Sequence, residues 1–178
     1  AKGALVSETA DRGVTPLYLA AASDCGDCVT QLLAAGADVE QGADGGWTPL
    51  HAASYAGAAG AARVLIEGGA SLEAKGEGGA RPLRVAVDRD QEHVIDVLVA
   101  GGSDPDRYEP DGDSLLHRAA QGGRHHAARA LIRGGGDPDI ARADGERALH
   151  RAVFLKYPSF VEVLLDEGAD IEAVNDQG

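Results

Sequence analysis

The chain has 178 residues, with 16 Lys+Arg against 29 Asp+Glu, so its formal charge is −13. An acidic chain with scattered basic residues is poorly suited to nucleic acid or anionic membranes, which are held through clustered Lys and Arg; a basic or apolar protein surface is the expected partner. Aromatic residues make up only 4 % while Ala, Leu, Val and Gly dominate, which favours short helices packed through small side chains over a large aromatic core.

The first thirteen residues, "AKGALVSETADRG", lack the apolar stretch of a secretory signal, and no later run is long and apolar enough for a membrane helix. The chain contains no Met, which points to a segment excised from a longer chain, and its 2 cysteines are too few for a disulfide framework. A reducing compartment, intracellular and by default cytoplasmic, is therefore expected.

Self-similarity organises the rest. "TPLYLA" begins at 15, "TPLHAA" at 48, "RPLRVA" at 81, "SLLHRA" at 114 and "RALHRA" at 147, each 33 residues after the last. The same interval relates Leu32, Leu65, Leu98, Leu131 and Leu164, and likewise Gly36, Gly69, Gly102, Gly135 and Gly168. Five units follow, 14–46, 47–79, 80–112, 113–145 and 146–178, with 1–13 resembling the tail of a preceding unit. Each unit is predicted to hold two helices. The first starts at the motif, where Thr15 or Thr48 supplies a hydroxyl cap and Pro16, Pro49 or Pro82 takes the first turn. The second stops before a glycine suited to a left-handed position. Turn-rich stretches such as "GADGG" and "EPDGD" separate the units. One unit cannot bury its own apolar stripe, so neighbours must stack, with the leucine series as the core.

Taken in order, the units differ in instructive ways. Unit one carries Cys25 and Cys28 in "DCGDC". Unit two has Trp47 just before its Thr-Pro-Leu-His cluster and Tyr55 late in its first helix. Unit three replaces Thr and His by Arg81 and Arg84, so its turn is expected to be less tightly tied, and ends its first helix near Asp88 and Arg89. Unit four offers Asp113, His117, Arg118 and Gln121, then "GGRHH". Unit five offers Glu146, His150, Arg151 and Phe154, and its "VEVLL" lacks a polar cap, so stacking is expected to continue.

The period, the Thr-Pro-Leu-His cluster and the paired helices resemble the ankyrin repeat over the whole chain. The resemblance implies an all-α solenoid with hairpin-like fingers, in which the motif Thr and His bond the turn to the helix. His51, His117 and His150 are then structural. Lys156 stands where that family usually has Gly, and the junction around it is expected to differ from the others. The resemblance also implies a non-catalytic protein-binding module, using the finger tips and the concave face of the first helices. Carried over by position, the candidate contacts are Trp47, Tyr55, Asp88, Arg89, Asp113, Arg118, Gln121, Glu146, Arg151 and Phe154.

Trp47 and Tyr55 should project to one groove as a binding hot spot, although Trp47 has the alternative of packing over its own finger. Arg118 and Arg151 offer a clamp for a partner carboxylate, or else pair with Asp113 and Glu146 within the array. Other chemistry is poorly supported. The Cys pair lacks further ligands or a βαβ context for zinc or thioredoxin-like work. His125 and His126 are expected in an inter-helix turn, pointing away from His117 and His150. "IRGGGDPD" lacks the Lys-Ser/Thr of a phosphate loop. No cofactor or metal is therefore expected. A target-recruiting part of a larger enzyme, ligase adaptor or effector, and a structural spacer, are the alternative functions; aromatic groove residues disfavour the spacer.

Overall fold

The computed structural model describes residues 13–176; the expectation of a preceding unit's tail falls on 1–13, almost wholly outside the described residues. Among these are ten α-helices and no strands. They come in pairs: α1 Pro16–Ala22 with α2 Gly26–Ala34, α3 Pro49–Ala56 with α4 Ala59–Glu67, and α5 Pro82–Asp88 with α6 Glu92–Ala100. The last two pairs are α7 Leu115–Gln121 with α8 His125–Arg133, and α9 Ala148–Phe154 with α10 Pro158–Asp166. Helices this short do not persist alone in water, so packing must hold them. Odd-numbered helices pack on one another in sequence, even-numbered ones form a second layer, and each pair packs internally. The product is an all-α repeat solenoid.

Helix starts follow the sequence. The Thr15 hydroxyl accepts from the Tyr18 amide at 3.1 Å, Thr48 and Ser114 cap α3 and α7 in the same way, and proline opens α1, α3 and α5. Helix ends follow it too. At the end of α6 the Ser103 amide donates to the Leu98 carbonyl at 3.0 Å and the Gly102 amide to the Val99 carbonyl at 2.9 Å. Gly102 sits at φ 106°, the left-handed conformation that this double-bonded C-cap demands. Every second helix ends with the same pair of bonds.

Leu65, Leu98, Leu131 and Leu164 are fully buried, as the period predicts. Leu32 is not: it is only half-buried, because α2 meets a neighbouring second helix, α4, on one side only among the described residues. Between units, the amides of Ala43, Gly76, Glu109 and Arg142 donate across each finger to the carbonyls of Trp47, Ala80, Asp113 and Glu146 at 2.7–2.8 Å. These single rungs make the fingers hairpin-like.

The turn between paired helices corrects one expectation. Asp24, Asp90 and Lys156 have φ of 54°, 56° and 61°, and Gly57 and Gly123 stand at 77° and 64° in the equivalent places. The fifth junction therefore keeps the common conformation, and Lys156 bears the cost, about 1–2 kcal/mol for a residue with a Cβ. Asp24 and Asp90 offset theirs. Their carboxylates accept from the amides of Ala61 at 2.8 Å and Ala127 at 2.7 Å, capping the next unit's second helix. That helix's own N-cap residue, Ala58 or Arg124, supplies no side-chain cap. Further along, Glu40, Asp106 and Asp139 accept from the amides of Ser71, Asp137 and Asp170 at 2.7, 2.8 and 3.0 Å. Part of the acidity is thus consumed in joining units.

Candidate functional site

The first helices and fingers of units two and three hold an aromatic and cationic cluster. The Trp47 and Tyr55 rings meet edge to face with centroids 6.0 Å apart, and the Arg89 guanidinium lies over the Tyr55 ring at 4.2 Å. Such stacking is favourable in itself, and Arg89 stays exposed, so its N–H groups are open to a partner. Among the described residues no carboxylate pairs with Arg89. Trp47 is half-buried: its indole also covers the next finger, where a Cβ on Gly76 would come within 3.2 Å of it. Tyr55 and Arg89 are exposed. Gln121 and Phe154 end α7 and α9, apart from this cluster, and both are exposed. Phe154, at 83 % exposure, stands with Leu149, Val153, Val161, Leu165 and Ile171 along an open groove of about 860 Å³ at the last helix pair.

The remaining candidates form an ionic network. Arg151 is buried and donates to Asp113 at 2.7 Å and Glu146 at 2.8 Å, while Arg142 reaches Asp113 from the other side at 2.7 Å. Arg118 lies between Asp88 at 3.3 Å and Asp111 at 3.6 Å. Of the two arrangements open to Arg118 and Arg151, this is the internal one. Burial alone would raise the Asp113 pKa, but the Arg151 hydrogen bond and the charges of Arg151 and Arg142 hold it below the ordinary carboxylate range. Burial likewise disfavours the Arg151 cation, and its bonds to Glu146 and Asp113 reverse that and hold it protonated.

Unit three is tied differently from the others, not left loose. Arg84, at the motif's histidine position, pairs with the buried Glu109 carboxylate at 3.1 Å, and Arg81 pairs with Glu73 at 2.9 Å. What Arg81 does not supply is a helix cap.

The motif histidines reach across units. His51 Nδ1 accepts from the Thr48 amide at 3.1 Å, which leaves the proton on Nε2, donated to the Ala80 carbonyl at 3.0 Å. His117 repeats the pattern with Ser114 Oγ at 2.8 Å and the Glu146 carbonyl at 2.9 Å, and His150 with the Arg147 amide at 3.1 Å and the Ala173 carbonyl at 3.0 Å. Each binds a helix start to the following finger, with both ring nitrogens occupied.

The sequence model for ankyrin repeats (3 copies) matches residues 2–76 and 83–175. The chain belongs to the ankyrin-repeat family. Among curated proteins none matches it. Ankyrin repeats are generally protein–protein interaction modules and typically non-catalytic. No described helix is long and apolar enough to cross a membrane.

Two of the ankyrin histidines, His51 and His117, also set a pH dependence. Burial lowers the pKa of His51 and His117, and their carbonyl partners only partly offset it. A depressed folded-state value means that the unfolded chain takes up protons first as pH falls. The stability held above the unfolded value of about 6.5 is then lost on acidification, at up to about 1.4 kcal/mol per pH unit for each histidine. Urea unfolding between about pH 7.5 and 5.5 should show this fall, and a His51→Gln/His117→Gln variant should flatten it. An equal slope in the variant would place the proton uptake elsewhere.

Two minor readings need correction. Cys25 and Cys28 are joined as a disulfide at the start of α2, Cys25 serving as its N-cap. The reducing-compartment default rested on two cysteines being too few for a disulfide framework, and a Cys25–Cys28 disulfide weakens that support. His125 and His126 lie in the first turn of α8, not in the inter-helix turn, and face Asp90 of the preceding ankyrin unit. Two devices escaped sequence reasoning: the inter-unit carboxylate caps and the Arg84–Glu109 pair.

Proposed function

We propose that this chain is a non-catalytic protein-interaction module that grips a partner protein through its first helices and fingers, with Trp47, Tyr55 and Arg89 as the anchor. One observation carries the reading: an edge-to-face aromatic pair capped by an arginine that has no carboxylate partner among the described residues, of the residue types that dominate binding hot spots. Gln121 and Phe154 extend the contact surface. Asp88, Asp113, Arg118, Glu146 and Arg151 are assigned to holding units together, since their charges already satisfy one another. An acidic surface disfavours phosphate backbones and suits a partner segment that is apolar or basic around a group able to accept from Arg89. The division into five units after a partial one is part of this reading.

The test is capture of proteins from lysate by the parent chain and by a Trp47→Ala/Tyr55→Ala variant of matched circular dichroism. A protein retained by the parent should lose about 2 kcal/mol or more of binding in the variant. Equal retention would remove the anchor from these residues.

A further inference from the structure

We propose that Asp90, His125 and His126 bind a divalent transition-metal ion of the zinc class, bridging units three and four. Asp90 occupies the left-handed turn between α5 and α6, and the two histidines are the first two residues of α8. One donor atom from each of the three lies within 4.8 Å of the others, and the imidazole centroids are 4.1 Å apart. Glu92 lies beside the group without joining it: one carboxylate oxygen is 3.7 Å from His126 Nδ1, and the other is held by Arg133 at 3.0 Å.

The fold itself does not ask for histidine here. At the positions equivalent to His125 and His126, the other units carry Gly26-Asp27, Ala59-Gly60, Glu92-His93 and Pro158-Ser159. Asp24 serves as an internal comparison. It has the same left-handed backbone at φ 54° and caps Ala61 as Asp90 caps Ala127, yet it faces Ala59 and Gly60, which offer no ligand. Helix capping thus accounts for the aspartate and leaves the histidine pair unexplained.

Two imidazoles with one carboxylate suit zinc, nickel or cobalt and not the all-oxygen preference of magnesium or calcium. The positive end of α8 opposes a cation, and the Asp90 carboxylate supplies the compensating charge. Asp90 and His125 are half-buried and His126 is exposed, so an ion can enter and keep water in its remaining positions. Its mechanical effect would be a cross-link at the junction where unit three lacks the Thr and His tie.

Zinc(II) titrated calorimetrically into the untagged, oxidised chain tests this, because the Cys25–Cys28 disulfide then withholds the thiolates. One ion should bind per chain and raise the melting temperature, magnesium should do neither, and His126→Ala should weaken zinc binding by at least about tenfold. His126 is exposed, so this variant keeps its fold, and cobalt(II) should show a visible absorption band in the parent that the variant loses. Absence of zinc binding, or parental affinity in both His125→Ala and His126→Ala, would overturn the site.

Discussion

Leu98→Ala should cost about 2–5 kcal/mol, the range for deleting most of a fully buried leucine and leaving a cavity behind. Leu98 lies on α6, between α4 and α8, so its side chain serves two inter-unit interfaces at the centre of the array. A whole domain commonly holds about 5–15 kcal/mol, so this one truncation would remove a large share. Repeat arrays are stabilised mainly by nearest neighbours, and a central lesion should uncouple the two halves. Urea unfolding followed by helical circular dichroism should show a lower midpoint and a broader transition. Leu32→Ala is the matched control: the same change at the same register in a half-buried residue should cost clearly less. Equal losses at the two positions would contradict the packing derived for the leucine series.

The contrast between Leu98 and Leu32 also shows what a period can and cannot reveal. The 33-residue repeat located both helices of each unit, the Thr caps, the glycine-ended C-termini and the inward histidines, because these recur with the local backbone. Burial depends on what stacks on either side, so the period overstated it at Leu32. Bonds between units were hidden for a related reason. Asp24 and Ala61 are 37 residues apart, and Glu40 and Ser71 are 31 apart, so neither pair keeps the repeat interval. Arg84 was misread because the loss of a histidine was visible, whereas the buried Glu109 that receives its replacement belongs to the next finger. For the surface, the repeat positions put Trp47 and Tyr55 on one groove, and their rings do meet, 6.0 Å apart. That Arg89 covers Tyr55 depends on how α5 sits against α3. The convergence of His125 and His126 on Asp90 depends in the same way on how α8 sits against α5 and α6.

Arg151→Ala should destabilise the array by about 3 kcal/mol, because Arg151 is the buried member of a partly buried ionic cluster and its removal leaves the others without compensation. Asp113 and Glu146 would lose bonds of 2.7 and 2.8 Å and face each other across the vacated space. Arg142, 2.7 Å from Asp113 and 3.8 Å from Glu146, would absorb part of the repulsion, which keeps the expected loss at the lower end of the range for broken buried pairs. The internal origin of the effect can be isolated. Asp113→Asn added to Arg151→Met should recover part of the stability lost by Arg151→Met alone, since the second change removes the charge that the first left stranded. A clamp for a partner's carboxylate would behave otherwise: Arg151→Ala would leave unfolding untouched and weaken only the captured complex. The opposite result, a large loss of stability with capture by the Trp47–Tyr55–Arg89 cluster retained, would mark a division of labour along one face. Units two and three would then present their side chains to a partner, while units four and five spend theirs on each other.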